Sequence, residues 1–226
     1  MNSRNEVAGF PEDVFTEPDP DPDTLANLGP LRPLAGVWSS AQGLDTHPAA
    51  DDGAEKEIYV EHYELQPIDA QTNGPQLFYG LRYHIHIVKP GEVETFHDQV
   101  GYWLWEPATN AVILSLAIPR AQVALAGGTA APTEREFTLQ AKRGDPAFGI
   151  ASGPFLEHAF RTVSFTMKVT IDSDTEWSYE QDTVLEVIGM AEPFHHTDRN
   201  TLTKVAEPTP NPMALAKAQA QPQALG

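Results

Sequence analysis

Along most of the chain, apolar and polar residues alternate with the period of two that marks β-strands. The clearest run is Leu81-Arg82-Tyr83-His84-Ile85-His86-Ile87, in which Leu81, Tyr83, Ile85 and Ile87 face one way and Arg82, His84 and His86 the other. The pattern predicts strands at about Ala35–Ser40, Glu57–Gln66, Gln76–Val88, Glu94–Trp105, Ala111–Ile118, Gln122–Gly127, Arg135–Lys142, Ala159–Thr170, Glu176–Ile188 and Thr197–Val205. Turn chemistry separates them, including Asn73-Gly74-Pro75, Lys89-Pro90-Gly91, Gly127-Gly128 and Gly144-Asp145-Pro146. Two longer gaps, Gly43–Glu55 and Gly144–Pro154, read as lids or insertions. Upstream, Leu25, Leu28, Leu31 and Leu34 are interrupted by Gly29, Pro30 and Pro33, which predicts 3₁₀-like turns with one apolar face rather than a long helix.

Short turns between consecutive strands predict up-and-down antiparallel pairing. A sheet of about ten strands leaves costly edges unless it closes on itself. The predicted fold is therefore all-β: an antiparallel up-and-down β-barrel of about ten strands with a ligand-sized interior, preceded by short 3₁₀ turns. Trp38 is expected to plug the barrel base. The barrel is expected over residues 24–205. Residues 1–23 read as a disordered acidic tail, since the run Pro18-Asp19-Pro20-Asp21-Pro22-Asp23 favours neither helix nor burial. Residues 206–226 read as a disordered Ala/Pro/Gln tail with a short helical turn near Met213–Ala220.

Composition narrows the function classes. The 226 residues include no cysteine, which excludes disulfides, thiolate metal sites and a cysteine nucleophile, and favours a reducing compartment. A formal net charge of -18 argues against nucleic acid or an anionic membrane as partner. No segment has the length and apolarity of a membrane span. The expectation is a cytoplasmic protein, monomer or homodimer, whose partner is a small molecule.

Chemistry-bearing residues concentrate in the final strand region, Phe194-His195-His196-Thr197-Asp198-Arg199-Asn200, where groups that ligate metals, donate protons or bind anions replace the alternation of a closing strand. His97 lies among aromatics in Phe96-His97-Asp98-Gln99-Val100-Gly101-Tyr102 and is expected to pair across a turn with the His84/His86 strand. Arg120 and Arg161 stand in apolar settings, suited to a structural carboxylate or to the carboxylate of a ligand. The His84-x-His86 pair followed by Glu92 invites comparison with cupin metal sites, but the spacing is not theirs. Serine-nucleophile, phosphate-loop and zinc-finger patterns are absent.

Taken in order, these landmarks resemble the nitrobindin family of haem-binding, fatty-acid-binding-protein-like β-barrels. The matching stretches are Leu31-Arg-Pro33-Leu34-Ala-Gly36-Val-Trp38, Leu77-Phe-Tyr79-Gly-Leu-Arg82, His97-Asp-Gln99-Val-Gly101-Tyr102, Ala117-Ile-Pro119-Arg120 and Met190-Ala191…Pro193-Phe194…Leu202. The resemblance implies a ten-stranded barrel with one haem b near its open end and a single axial histidine from the last strand. It also implies nitric oxide binding and peroxynitrite isomerisation to nitrate at ferric haem. Aligned without a gap from Pro193 to Leu202, the family's ligand position falls on Thr197. His196 then reaches that position through a one-residue shift or a bulge. Gln99 stands where the family has glutamate.

The expected cofactor and metal ligand is thus His196, with His195 as alternate and His97, Arg82, Tyr102, Arg120 and Arg199 around the pocket. Two other readings stand beside this one. In a carrier of a small apolar acid such as a fatty acid, Arg82, Arg120 or Arg199 meets the carboxylate. In a non-haem metal or acid–base site, His84, His86, His97 and His196 come together.

Overall fold

The computed structural model describes residues 11–50 and 53–220. Its strands are β1 (Gly36–Pro48), β2 (Ala54–Pro67), β3 (Gln71–Asn73), β4 (Gln76–Val88), β5 (Thr95–Glu106), β6 (Ala111–Ile118), β7 (Gln122–Thr129), β8 (Glu136–Lys142), β9 (Ile150–Ser152), β10 (Phe160–Ile171), β11 (Glu176–Val187) and β12 (Phe194–Ala206). Helices α1 (Thr24–Asn27), α2 (Pro154–Ala159) and α3 (Pro212–Ala220) and a 3₁₀ turn at Gly29–Leu34 complete it. Ten strands hydrogen-bond in the antiparallel order β2-β1-β12-β11-β10-β8-β7-β6-β5-β4, and β4 pairs back onto β2. The sheet therefore closes, leaving β3 as a hairpin on β4 and β9 as a short addition to β7. Closure removes the exposed edges that ten open strands would carry. None of the described helices is long and apolar enough to cross a membrane.

The β1–β2 region differs from expectation. Gly43–Glu55 is mostly strand: β1 continues to Pro48 and β2 begins at Ala54, paired through Pro48↔Ala54. A register shift between Ser40 and Gly43 absorbs the break in alternation that made this stretch read as loop. Gly43 there lies directly over the Tyr59 ring, close enough that a Cβ would collide with it. The Gly144–Pro154 gap holds β9 and leads into α2.

One end of the barrel is sealed. Leu28, Leu31 and Leu34 from the first turns are fully buried, together with Trp38, Trp103 and Trp177. Trp38 donates its indole N–H to the Leu34 carbonyl at 2.8 Å and meets Trp177 edge-on at 6.1 Å between ring centres. Trp38 is thus the base plug that the sequence suggests.

The C-terminal stretch is tied to this closed end by a polar anchor that composition does not signal. Asn211 is 1% exposed, accepts from the Thr24 amide at 3.2 Å and donates to the Pro22 carbonyl and to Asp69. Helix α3 follows that anchor. On the N-terminal side, the Asp21 amide donates to the Tyr79 hydroxyl and Thr72 donates to Glu17, so part of the expected tail also touches the barrel. Residues 1–10 and 221–226 lie outside the described residues.

Candidate functional site

Because one end is filled, the interior space lies towards the other, where β1, β4, β6 and β11 end and β2, β5, β7, β10 and β12 begin. A cavity of about 460 Å³ opens there, within the usual size of a small-molecule site. Ile85, Ile87, Phe96, Leu116, Phe165 and Met167 supply much of its apolar lining. The polar side comes mainly from β1, β2, β11 and β12, which contribute Asp45, His47, Tyr59, Glu61, Tyr179, Gln181, His196 and Asp198.

Strand β12 delivers His196 through plain alternation. Its pairing with β11 runs without a shift from Glu176↔Thr203 to Leu185↔Phe194. Leu202, fully buried opposite Trp177, fixes the phase. Asn200, Asp198 and His196 consequently face the interior, while Thr201, Arg199, Thr197 and His195 face out. No shift or bulge presents His196, and Thr197 lies on the outer surface with Thr46 and Lys56. The gap-free count places the ligand on Thr197, whereas alternation from the buried Leu202 turns that residue outward and His196 inward.

Around His196 the barrel concentrates acid. Asp45, 4% exposed, accepts from His196 Nε2 through Oδ1 and from His47 Nδ1 through Oδ2, each at 2.7 Å. Asp198 approaches the same His196 nitrogen at 3.8 Å and accepts from Gln181 at 3.2 Å. Burial favours neutral groups here, but the two histidines outweigh it at Asp45 and hold that carboxyl below its ordinary range. Burial likewise works against charge on His196, and Asp45 and Asp198 overcome it to raise the imidazole. Asp198 is raised, by burial first and by the neighbouring carboxylates.

Deeper in, Glu61 is 0% exposed. Its Oε2 accepts from Tyr179 Oη at 2.9 Å and Asn200 Nδ2 at 2.6 Å. Tyr59 Oη lies 2.9 Å from Tyr179 Oη. Since the Tyr179 proton goes to Glu61, Tyr59 is the donor to Tyr179. Glu61 Oε1 and Asn200 Oδ1 have no partner among the described residues. Burial pushes the Glu61 carboxyl up to about 7.

Of the residues singled out in the sequence, His196, His97 and Arg120 line the cavity. His97 sits with Nε2 3.4 Å from Gln99 Oε1, and burial lowers its pKa. Arg120 is the lone Lys or Arg among the described cavity-lining residues. The barrel wall separates the other four from that space. His195 bonds Asp182 at 2.7 Å outside, Arg199 is exposed beside Thr197, and Arg82 and Tyr102 lie along a groove on the outer face of β4–β7. His84 and His86 are outside too, so they do not join His97 and His196 in one site. Arg161 is a surface residue paired with Glu186 and Glu157.

Asp45, Glu61 and the two tyrosines were not singled out in the sequence, and Asp198 was named only as part of the polar final-strand segment. Glu61 was within reach, because the inward set Tyr59, Tyr63 and Leu65 puts it on the same face. Asp45 was hidden by the register shift just before it.

The donor set can be tested against a haem. An axial imidazole needs one nitrogen free for iron and is commonly oriented by a carboxylate on the other. His196 has Nε2 on Asp45, and its Nδ1 has no hydrogen-bond partner among the described residues. Asp45 thus supplies the orienting carboxylate on Nε2 and leaves Nδ1 as the nitrogen that a haem iron would take. With an apolar chamber beside it and Arg120 to meet an anionic group, the donor set fits a singly ligated haem.

The family profile of the THAP4-like, heme-binding beta-barrel domain matches residues 27–204. The chain belongs to that family. The match spans the barrel from the 3₁₀ turn into the last strand, as the nitrobindin-like order of landmarks suggested. Ten chains of solved structures are similar. Among them, Rv2717c from M. tuberculosis, solved as a crystal structure, has a TM-score of 0.53 at 22% sequence identity. The likeness covers 82% of this chain and 99% of that one, and at this identity it shows the fold alone. No curated protein matches the chain.

Proposed function

We propose that this member of the haem-binding barrel family holds one haem b in its open-ended cavity, with His196 as the axial ligand. The reading extends to binding or converting a small reactive nitrogen species, nitric oxide or peroxynitrite, at ferric haem. The observation that carries it is an imidazole facing an apolar chamber with one nitrogen fixed by a buried carboxylate. Bound haem would supply a redox-active iron with a coordination position for a diatomic or peroxy ligand.

The chain's own residues do the rest. Asp45 fixes the plane of the His196 ring and, as an anion, makes it a stronger donor. Ile85, Ile87, Phe165 and Met167 keep water from the chamber. His97, kept neutral by burial, offers a hydrogen bond to a small ligand without adding charge. Arg120 at the mouth attracts anions into a chain that otherwise repels them. Mixing purified apoprotein with hemin tests the reading, which expects a Soret band that saturates at one equivalent and depends on His196.

One observation favours a second reading. Asp45, His196 and Asp198 each bring a ligand atom within 4.8 Å of the others, a donor set that suits a non-haem divalent cation. Stoichiometric metal with no Soret response would favour that reading. The carrier of an apolar acid keeps Arg120, the one guanidinium among the described cavity-lining residues. Co-purified lipid in haem-free protein would favour it.

A further inference from the structure

Three of the histidines outside the cavity form a cluster of their own. On the outer face of the barrel, three neighbouring strands bring imidazoles and carboxylates into adjoining positions. His62 on β2 stands opposite His86 on β4, and His86 stands opposite Asp98 on β5. One step along, Glu64 stands opposite His84. Residues directly opposite in an antiparallel pair have Cβ atoms about 5 Å apart, and residues two apart on one strand project to the same side about 7 Å apart. The five side chains therefore share a single patch of surface.

Geometry within the patch is already partly organised. The His84 and His86 rings lie 6.5 Å apart between centres and are tilted by 37°. His84 Nε2 is 2.9 Å from Asp98 Oδ2, and His86 Nε2 is 3.1 Å from Thr95 Oγ1. His84 is half-exposed, with 48% of its side chain open to solvent, so an incoming ion meets no barrier.

We infer that His84 and His86, with His62 and Asp98 beside them, form a surface site for a borderline divalent transition metal such as Cu²⁺ or Zn²⁺. Imidazole nitrogens with a carboxylate are the ligands these ions prefer where no thiolate is offered, and the chain has no cysteine. With Zn–N bonds of about 2.0–2.1 Å, two rings on one tetrahedral ion stand with centres about 5 Å apart. The His84 and His86 rings need to close by only about 1 to 2 Å, a movement within reach of exposed rotamers. Asp98 is placed to complete the coordination or to orient His84 from its second nitrogen. The net charge of -18 raises the local concentration of cations. This site is separate from the cavity and does not depend on the haem reading.

The test keeps the two places apart by using the full chain with His196→Ala, which removes the imidazole of the inner donor set. Cu²⁺ and Zn²⁺ titrations by calorimetry in a non-coordinating buffer are expected to show one equivalent bound to this variant. Adding His84→Ala and His86→Ala is expected to weaken binding at least tenfold, and the Cu²⁺ spin-resonance spectrum is expected to lose its nitrogen couplings. No binding to folded His196→Ala protein, or undiminished binding after both outer histidines are removed, overturns the proposal. If circular dichroism shows that His196→Ala does not fold, the comparison is made in the otherwise native chain, where the inner donor set contributes equally, with and without the exposed His84→Ala and His86→Ala changes. Equal uptake by the two then overturns the proposal.

Discussion

Replacing Glu61 by glutamine should change the pH dependence of stability more than stability itself. Glu61 is fully buried, with one oxygen in two hydrogen bonds and the other unpartnered. Its pKa rises from the ordinary 4.5 to about 7 because burial disfavours the anion. At about 1.4 kcal/mol per tenfold change in proton affinity, that rise corresponds to about 3 kcal/mol. The sign follows from linkage. Between pH 4.5 and 7 the folded state holds a proton on Glu61 that the unfolded state has released, so stability falls as pH rises through this window. Below it both states are protonated, and above it both are ionised. Glutamine is uncharged at every pH and retains an oxygen for Tyr179 and Asn200. Relative to the native chain, Glu61→Gln apoprotein should therefore gain about 3 kcal/mol between pH 4.5 and pH 8. Relief of repulsion on Asp198 acts in the same direction. For a chain of this size the gain corresponds to a relative rise in Tm of roughly 6–12 °C. Denaturant unfolding of both proteins at several pH values measures it. A stability difference that stays constant across that range refutes the argument, because Glu61 would then titrate alike in the folded and unfolded chain.

Two further outcomes concern groups around the same site. Asp45→Asn removes the anion from behind His196, and hemin affinity measured by Soret titration should fall roughly 10- to 100-fold while the fold persists by circular dichroism. Unchanged affinity would mean that Asp45 does not orient the ligand. Gly43→Ala sets a methyl group against the Tyr59 ring, and urea unfolding should show a loss of about 1–3 kcal/mol. An unchanged urea midpoint would show that the β1 shift yields freely.

The barrel was legible in the sequence because most of its ten strands carry an inward apolar series, and short turns leave consecutive strands little choice but to pair. The Trp38 plug was legible for the same reason, as an apolar residue next to a leucine-rich turn. The site was read less completely. His196 stood out by composition, yet alternation alone cannot say which phase of a polar strand faces in. That phase is set by Leu202 packing against its neighbours at the closed end. Arg82, Tyr102 and Arg199 were placed by their chemistry near a pocket from which the same alternation excludes them. Asp45 lay past a register shift, and Glu61 looked like one more surface carboxylate in an acidic chain. Its burial follows from Tyr179 and Asn200, which come from strands more than a hundred residues away.

Hemin titration of the apoprotein beside its His196→Ala, His195→Ala and His84→Ala variants tests the central claim most directly. The account predicts a Soret band saturating at one equivalent for the native chain and for His195→Ala and His84→Ala, whose imidazoles lie outside the barrel. It predicts loss of that band in His196→Ala. A His196→Ala protein that binds hemin as the native chain does would contradict the assignment of the axial ligand and, with it, the reading of the cavity.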